Sequence, residues 1–368
     1  MGQEQSTNEK TQEYKQFLLF YSQEREAIHP QFGTIKLFTH IQTNEQICLK
    51  KYFTKSEKEF SNLVAHLRQR NTFEQDNLLK ILAIHQQDQI KICSDQSQIT
   101  IIIQYYQENL SNEMSIRKLN NKPYNEGHIW ILLQQIIDPC TYLSERNIVH
   151  GDIKPSTLYL DENGCIKIAE CCMLNDGING YQKMILSQDK AYLSPILLQQ
   201  YKELIMSPIH DEQKSDIYSL GLTALSVILM EEVYDCFDYI QGIVLTDKLE
   251  SKFIRIKQLG YSQILIEFIK QLLLFDEQQR PSWQMLKDFI DKYREKINNM
   301  IPFYQNHLNN QKSPIRQSNQ FNKSPLRQNM IYLPLNKSPQ QQFQRSQQFN
   351  TSRSEAKPKY VQISKENY

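Results

Sequence analysis

Residues 148–160 read Ile148-Val149-His150-Gly151-Asp152-Ile153-Lys154-Pro155-Ser156-Thr157-Leu158-Tyr159-Leu160 and lead into Asp161-Glu162-Asn163-Gly164 and Cys165-Ile166-Lys167-Ile168-Ala169. Asp161 to Gly164 has the composition of a tight turn, and the β-like runs Thr157–Tyr159 and Cys165–Ala169 flank it. A carboxylate, Asp152, and an ammonium, Lys154, thus sit in a polar segment just before a short hairpin. A lone Asp or Lys is usually a solvated charge, so the rest of the chain decides whether these two carry chemistry.

On the N-terminal side, Phe32–His40 and Gln46–Phe53 have the composition of strands, and Ile90–Cys93 with Ile99–Tyr106 suggest a later pair. Between them Phe60, Leu63, Val64 and Leu67 recur at i, i+3, i+4 and i+7, one apolar stripe of a helix. This half is predicted to be mostly sheet with one main helix. On the C-terminal side the period lengthens, and helices are expected over Ile129–Leu143, Ser219–Glu232, Ile264–Leu274 and Trp283–Tyr293.

The chain has 368 residues, more than the ~250 to 300 that one hydrophobic core usually organises. Its net charge of +1 gives no whole-molecule reason to expect nucleic acid as a partner. The charge is unevenly spread. Residues 305–368 carry ten Lys or Arg against two Glu, or +8, which leaves −7 for the preceding residues. In that tail 21 of 64 residues are Gln or Asn and only 16 are apolar, so it is expected to be disordered. Residues 1–14 are polar and read the same way. The longest apolar run, Leu220–Met230, is too short for a bilayer crossing of ~20 residues and is broken by Thr223 and Ser226. Seven scattered cysteines and an N-terminus without an apolar core point to a reducing, cytoplasmic setting.

With its neighbours, the segment 148–160 resembles the catalytic loop of the eukaryotic protein kinases. Five further motifs of that family follow in order: Ile47-Cys48-Leu49-Lys50 for the third-strand lysine, Ile168-Ala169-Glu170-Cys171-Cys172 at the Asp-Phe-Gly position, Ala191-Tyr192-Leu193-Ser194-Pro195, Ser215-Asp216-Ile217-Tyr218-Ser219-Leu220-Gly221, and Gln279-Arg280-Pro281-Ser282. The resemblance implies an α+β bilobal kinase fold over residues 15–298, with a β-rich N-lobe (15–105) and a larger, mostly helical C-lobe (106–298). It implies that Lys50 clamps nucleotide phosphates, that Asp152 orients the attacking hydroxyl, and that Lys154, as in the Ser/Thr subclass, steadies the transferred phosphate. Asp216 and Arg280 would organise the C-lobe. The implied cofactors are ATP and Mg²⁺.

The sequence also departs from the family. Aligned on Phe32-Gly33-Thr34-Ile35, the three loop glycines fall at Ile28, Pro30 and Gly33, and only Gly33 is kept; Pro30 removes a backbone donor as well. The metal positions are Thr157 in place of Asn and Glu170 in place of Asp, a poorer set for the octahedral geometry Mg²⁺ requires. Cys171 is a smaller apolar plug than the family's Phe. Leu63 stands where the helix glutamate that pairs the lysine belongs, although Glu59 lies one turn earlier. Ile196 replaces the glutamate that pairs Arg280. Gly151 replaces the arginine that reads a phosphorylated activation segment, so control through Tyr181 or Ser187 is not expected.

Three functions stay open on this evidence. One is a catalytically impaired regulatory or scaffolding pseudokinase with protein partners. The second is a weakly active kinase that transfers the ATP γ-phosphate to protein Ser/Thr. The third is an interaction protein that works through its tail. Lys312-Ser313-Pro314, Lys323-Ser324-Pro325 and Lys337-Ser338-Pro339 form a loose repeat there, suited to proline-directed kinases. Met1-Gly2-Gln3-Glu4-Gln5-Ser6 fits the N-myristoylation pattern, so acylation of Gly2 together with the basic tail is an expected route to peripheral membrane contact.

Overall fold

The computed structural model describes residues 18–29, 31–54, 56–87, 97–169, 179–187 and 190–300. Gly2, Pro30, the expected strand Ile90–Cys93, Glu170 to Cys172 and the tail with Ser313, Ser324 and Ser338 lie outside the described residues. In chain order the elements are β1 (Tyr21–His29), β2 (Gly33–His40), β3 (Gln46–Thr54), α1 (Glu57–Asn71), β4 (Ile81–Gln87), β5 (Ser97–Gln104), β6 (Glu108–Asn109), α2 (Leu110–Leu119), α3 (Glu126–Ser144), β7 (Leu158–Leu160) and β8 (Ile166–Ile168). There follow α4 (Gly180–Ser187), α5 (Pro195–Lys202), α6 (Glu212–Leu229), β9 (Phe237–Asp238), β10 (Ile243–Val244), α7 (Thr246–Gln258), α8 (Gln263–Leu272) and α9 (Trp283–Met300).

The first five strands form one antiparallel sheet in the order β1-β2-β3-β5-β4. In β5, between β3 and the edge strand β4, Ile99, Ile101, Ile102 and Ile103 are fully buried, so both faces of that strand are covered. Helix α1 begins where Ser56 accepts a hydrogen bond from the Glu59 N–H at 3.2 Å, with Glu57 and Glu59 in the first turn and Arg68 and Arg70 in the last, each matched to the helix dipole. Val64 and Leu67 of the expected stripe face the sheet. The buried Arg70 donates to the Leu79 carbonyl at 2.9 Å, which ties α1 to the chain entering β4.

The C-terminal part is helical and surrounds α6, which is buried at every position from Ser215 to Leu229. This helix starts at Glu212, earlier than the apolar pattern suggests, because Asp211 caps it by accepting from the Lys214 N–H. It stops at Leu229, short of the expected Glu232, where Met230 turns left-handed with φ 50°. Helix α3 packs against α9 and α6, and Trp130, Phe268 and Phe289 cluster with ring centroids 5.0–6.3 Å apart. A small sheet, β6-β7-β8, lies under the first sheet and carries the segment quoted at the outset. Its strands are shifted from the expected runs: Thr157 belongs to a 3₁₀ turn over Pro155–Thr157, and β7 begins at Leu158. A sheet-rich N-terminal lobe on a helical C-terminal lobe is the bilobal kinase architecture. Among the described residues no helix is long and apolar enough to cross a membrane.

Candidate functional site

Lys50 lies in the middle of β3, between Ile35 of β2 and Ile101 of β5, and only 6% of it is exposed. Its ammonium stands 4.7 Å from the centroid of the Tyr52 ring on the same face of the strand. Glu59 is on the exposed first turn of α1, while Leu63, one turn on, packs against the N-lobe core. The position that resemblance gives to a carboxylate is thus apolar here.

Asp152 sits in a loop held from below by α6. The buried Asp216 carboxylate accepts from the His150 N–H at 2.7 Å and from the Gly151 N–H at 2.9 Å. Burial nevertheless pushes the Asp216 carboxyl up to about 7, against those two bonds. Gly151 has φ 77°, a left-handed conformation suited to glycine. His150 accepts from the Asp152 N–H at 3.1 Å through Nδ1, and burial, aided by Lys183 and Lys154, lowers its pKa to about 3. A neutral imidazole therefore supports the loop.

Thr157 is not turned toward a cation. Its hydroxyl lies 2.5 Å from the Asp152 carbonyl and 3.0 Å from the Lys154 carbonyl, and it accepts from the Lys154 N–H at 3.3 Å. The side chain is thereby used in closing the loop. Among the described residues no three His, Cys, Asp or Glu side chains group into a metal site. Lys154 bridges its own loop and the segment before α5: its ammonium is 3.0 Å from Asp152 Oδ1 and donates to the Lys190 carbonyl at 3.1 Å.

Between the first sheet and β7, side chains of this chain pack against one another. Gln31 and Phe32 turn inward from the β1–β2 loop and are 3% and 1% exposed. Gln31 Nε2 donates to the Ala169 carbonyl at 3.1 Å, and Gln31 Oε1 accepts from the Tyr159 hydroxyl. Phe32 lies 5.5 Å from the Tyr159 ring. His29 stacks on Phe32 at 4.2 Å, with Tyr105 and Tyr159 at 6.1 and 5.9 Å.

His29 has a further effect on the loop. Its Nδ1 accepts from the N–H groups of both Gln31, at 3.2 Å, and Phe32, at 3.1 Å. Loop amides of this kind are what would bind anionic phosphates, and here an imidazole of the same loop takes them. Burial, with Lys183 and Lys50 nearby, lowers the His29 pKa to about 4, so the ring is neutral and free to accept. Gly33, the one kept loop glycine, is exposed with φ 69° and forms the turn into β2. Among the described residues, the Gln31 and Phe32 amides and the Thr157 hydroxyl are bonded within the chain and are not offered to phosphates or a metal ion in this arrangement.

Elsewhere the motif residues are structural. Arg280 is 2% exposed and, with Ile196 in place of the expected carboxylate, donates to the carbonyls of Leu274 (2.6 Å), Phe275 (2.9 Å) and Lys214 (3.1 Å) and stacks 5.0 Å over Tyr218. Three carbonyls and an aromatic face take the place of an ion pair. Ser194 and Pro195 begin α5, with proline in the first helical turn. Tyr181 is buried and its hydroxyl donates to the Ile205 carbonyl at 2.5 Å, whereas Ser187 is exposed.

Fold and motif order together define a protein kinase domain. The protein kinase domain family model matches residues 29–289, and the chain belongs to that family. It is similar to MAP kinase kinase mkk-4 of Caenorhabditis elegans, 26% identical over 277 residues that cover 72% of this chain and 70% of that protein. It is also similar to dual specificity protein kinase zak2 of Dictyostelium discoideum, 23% identical over 237 residues, 60% of this chain and 32% of that one. Serine/threonine-protein kinase NLK2 of Xenopus laevis is 28% identical over 198 residues, covering 52% of this chain and 40% of that protein. The match thus spans well under half of the last two relatives. His29, Gln31 and Tyr159 were not singled out from sequence. Tyr159, two residues after Thr157, carried the one available signal, a bulky ring close to the metal position.

Proposed function

We propose that this kinase-domain protein acts as a regulatory or scaffolding pseudokinase, binding protein partners without transferring phosphate. The observation that carries this is the link from the Ala169 carbonyl through the Gln31 amide to the Tyr159 hydroxyl, with Phe32 and His29 packed beside it. A nucleotide could enter only by breaking these buried bonds and expelling two rings. Phosphoryl transfer depends on positioning and electrostatics, and the loop amides and the Thr157 oxygen are both committed elsewhere.

The retained Lys50, Asp152 and Lys154 favour the second reading, a slow Ser/Thr kinase, which requires the β1–β2 loop to swing out. Titration calorimetry of ATP into the full chain, with Mg²⁺ and then with EDTA, separates the two. No heat of binding in either condition is the expected result, and tight binding that requires Mg²⁺ would overturn the pseudokinase reading. The basic tail is the input side of this proposal. Phosphates of about −1.5 to −2 each on Ser313, Ser324 and Ser338 would cancel most of its charge and release it from an anionic membrane. Co-sedimentation with phosphatidylserine vesicles should fall in a variant with Asp at all three serines, and equal binding would remove the tail from the model.

A further inference from the structure

The chain enters β1 through an exposed apolar corner. Leu19 and Phe20, just before the strand, are 76% and 61% exposed, and Ile41, just after β2, is 64% exposed. The three are neighbours: the Ile41 N–H donates to the Phe20 carbonyl at 2.9 Å, and the Phe20 ring stacks on His40 with centroids 6.4 Å apart. Apolar residues exposed singly need no explanation, but three together on one turn mark a surface that meets something else. Leu18 turns the other way and packs with Tyr21 against Phe38, Ile47, Leu49 and Ile102. One side of the corner is thus anchored in the lobe, and the other is presented outward.

The backbone of the corner is prepared for a medium poor in water. The Thr43 N–H donates to His40 Nδ1 at 3.1 Å, the Asn44 N–H to the His40 carbonyl at 3.0 Å, and the Glu45 N–H to the Thr43 hydroxyl at 3.4 Å. The His40 N–H closes the turn on the Glu45 carbonyl at 2.8 Å. Unsatisfied amides are what keep a loop out of hydrocarbon, and these are bonded within the turn. Behind the trio the Tyr21 ring stands edge-on to His40 at 4.9 Å, and an amphipathic phenol of this kind suits the headgroup level of a bilayer. Glu45 is the only charged residue from Ile41 to Glu45, so whatever the corner meets is held by apolar contact rather than by charge.

The chain that leads into this corner carries the acylation pattern read from the sequence. Gly2 lies sixteen residues before Leu18, so an acyl chain there reaches at most roughly 55 Å from the corner. One acyl chain alone gives only marginal membrane binding, with K about 10⁴ M⁻¹. We propose that the Leu19–Phe20–Ile41 corner is a membrane-contact wedge, which inserts into the interface of a phospholipid bilayer beside an acylated Gly2 and supplies the second signal. The wedge rests on the peripheral-membrane reading of Gly2; it needs neither the basic tail nor the closed cleft.

The test uses the full chain, acylated by co-expression with an N-myristoyltransferase and checked by intact mass. The vesicles are phosphatidylcholine, which carries no net charge and so does not attract the basic tail. Wild type should co-sediment, and a Leu19→Ser, Phe20→Ser, Ile41→Ser triple variant with unchanged circular dichroism should bind at least about tenfold more weakly. Phe20→Trp places a reporter in the corner over a steady background, because Trp130 and Trp283 are only 2% and 3% exposed. Its emission should move to shorter wavelength when vesicles are added and be quenched by brominated phosphatidylcholine. If the triple variant does not fold, Phe20→Trp decides. Equal binding by the folded triple variant would overturn the wedge, as would a Phe20→Trp emission that vesicles leave unchanged. A short-wavelength emission already present without vesicles would also overturn it, since the acyl chain would then be folded back on the corner. A chain that the transferase leaves unacylated would overturn the two-signal arrangement, while ATP calorimetry and phosphatidylserine vesicles still read the cleft and the tail.

Discussion

His29 makes the closed β1–β2 loop dependent on pH in a way that can be worked through. Replacing it by Phe keeps a ring against Phe32 and Tyr159 but removes the acceptor of the Gln31 and Phe32 N–H groups. At pH 7.5 the lost bonds should cost about 1–2 kcal/mol, since both amides are only partly buried and water can take one of them. The wild-type imidazole titrates near 6.5 when unfolded and near 4 when folded. Below pH 6.5 the unfolded chain therefore takes up the proton first. The histidine's contribution is complete above pH 6.5 and drains away as the pH falls toward 4, by about 2 kcal/mol at pH 5 and about 3 kcal/mol at pH 4. The wild-type advantage should thus vanish near pH 5 and reverse below it. Urea unfolding followed by circular dichroism at pH 7.5, 6, 5 and 4.5 measures the gap, and other titrating groups cancel in the comparison. A gap that stays constant from pH 7.5 to 4.5 would refute a neutral, buried His29 bonded to the loop.

Tyr159→Phe leaves Gln31 Oε1 without its buried donor and should lower stability by about 1–2 kcal/mol in the same urea assay, with no gain in ATP binding by calorimetry. Thr157→Asn restores the amide of the family at that position but breaks the hydroxyl contacts that close the catalytic loop; it should cost about 1 kcal/mol and still give no Mg²⁺-dependent ATP binding, because the loop amides remain taken by His29. Arg280→Lys replaces a planar fork that reaches three carbonyls by a single ammonium and should destabilise the C-lobe by at least about 2 kcal/mol, read from the urea midpoint.

The family and the layout of the lobes could be read from sequence because they rest on local pattern. The stripe Phe60, Leu63, Val64, Leu67 gave α1, and the motif order gave the family and its two lobes. Elements with a thin apolar signal escaped. In β1 only Ala27 and Ile28 are aliphatic, and Ile28 faces solvent; α2 buries only Leu110, Glu113 and Met114. Helix α7 had a readable stripe in Leu249, Phe253 and Ile256 that was passed over. The closure of the cleft escaped for another reason. It depends on contacts such as Gln31 with Ala169, 138 residues apart, and Gln31 with Tyr159, 128 apart, and no local pattern encodes where a loop will fold back. The missing glycines predicted a poor phosphate cradle; they did not predict that His29 would take the place of a phosphate as acceptor of the loop amides.

The Gln31–Tyr159 bond joins a loop of the upper lobe to a strand of the lower one. In a working kinase the lobes hinge apart and together with each turnover, and a partner that grips both must give up that freedom when it binds. Here the hinge is pinned from within by a buried bond and stacked rings. A protein that spans both lobes meets surfaces already at a fixed separation, so little entropy of domain motion is lost on association. On the proposed pseudokinase reading, the cleft exchanges turnover for rigidity, which suits a gauge block better than a machine.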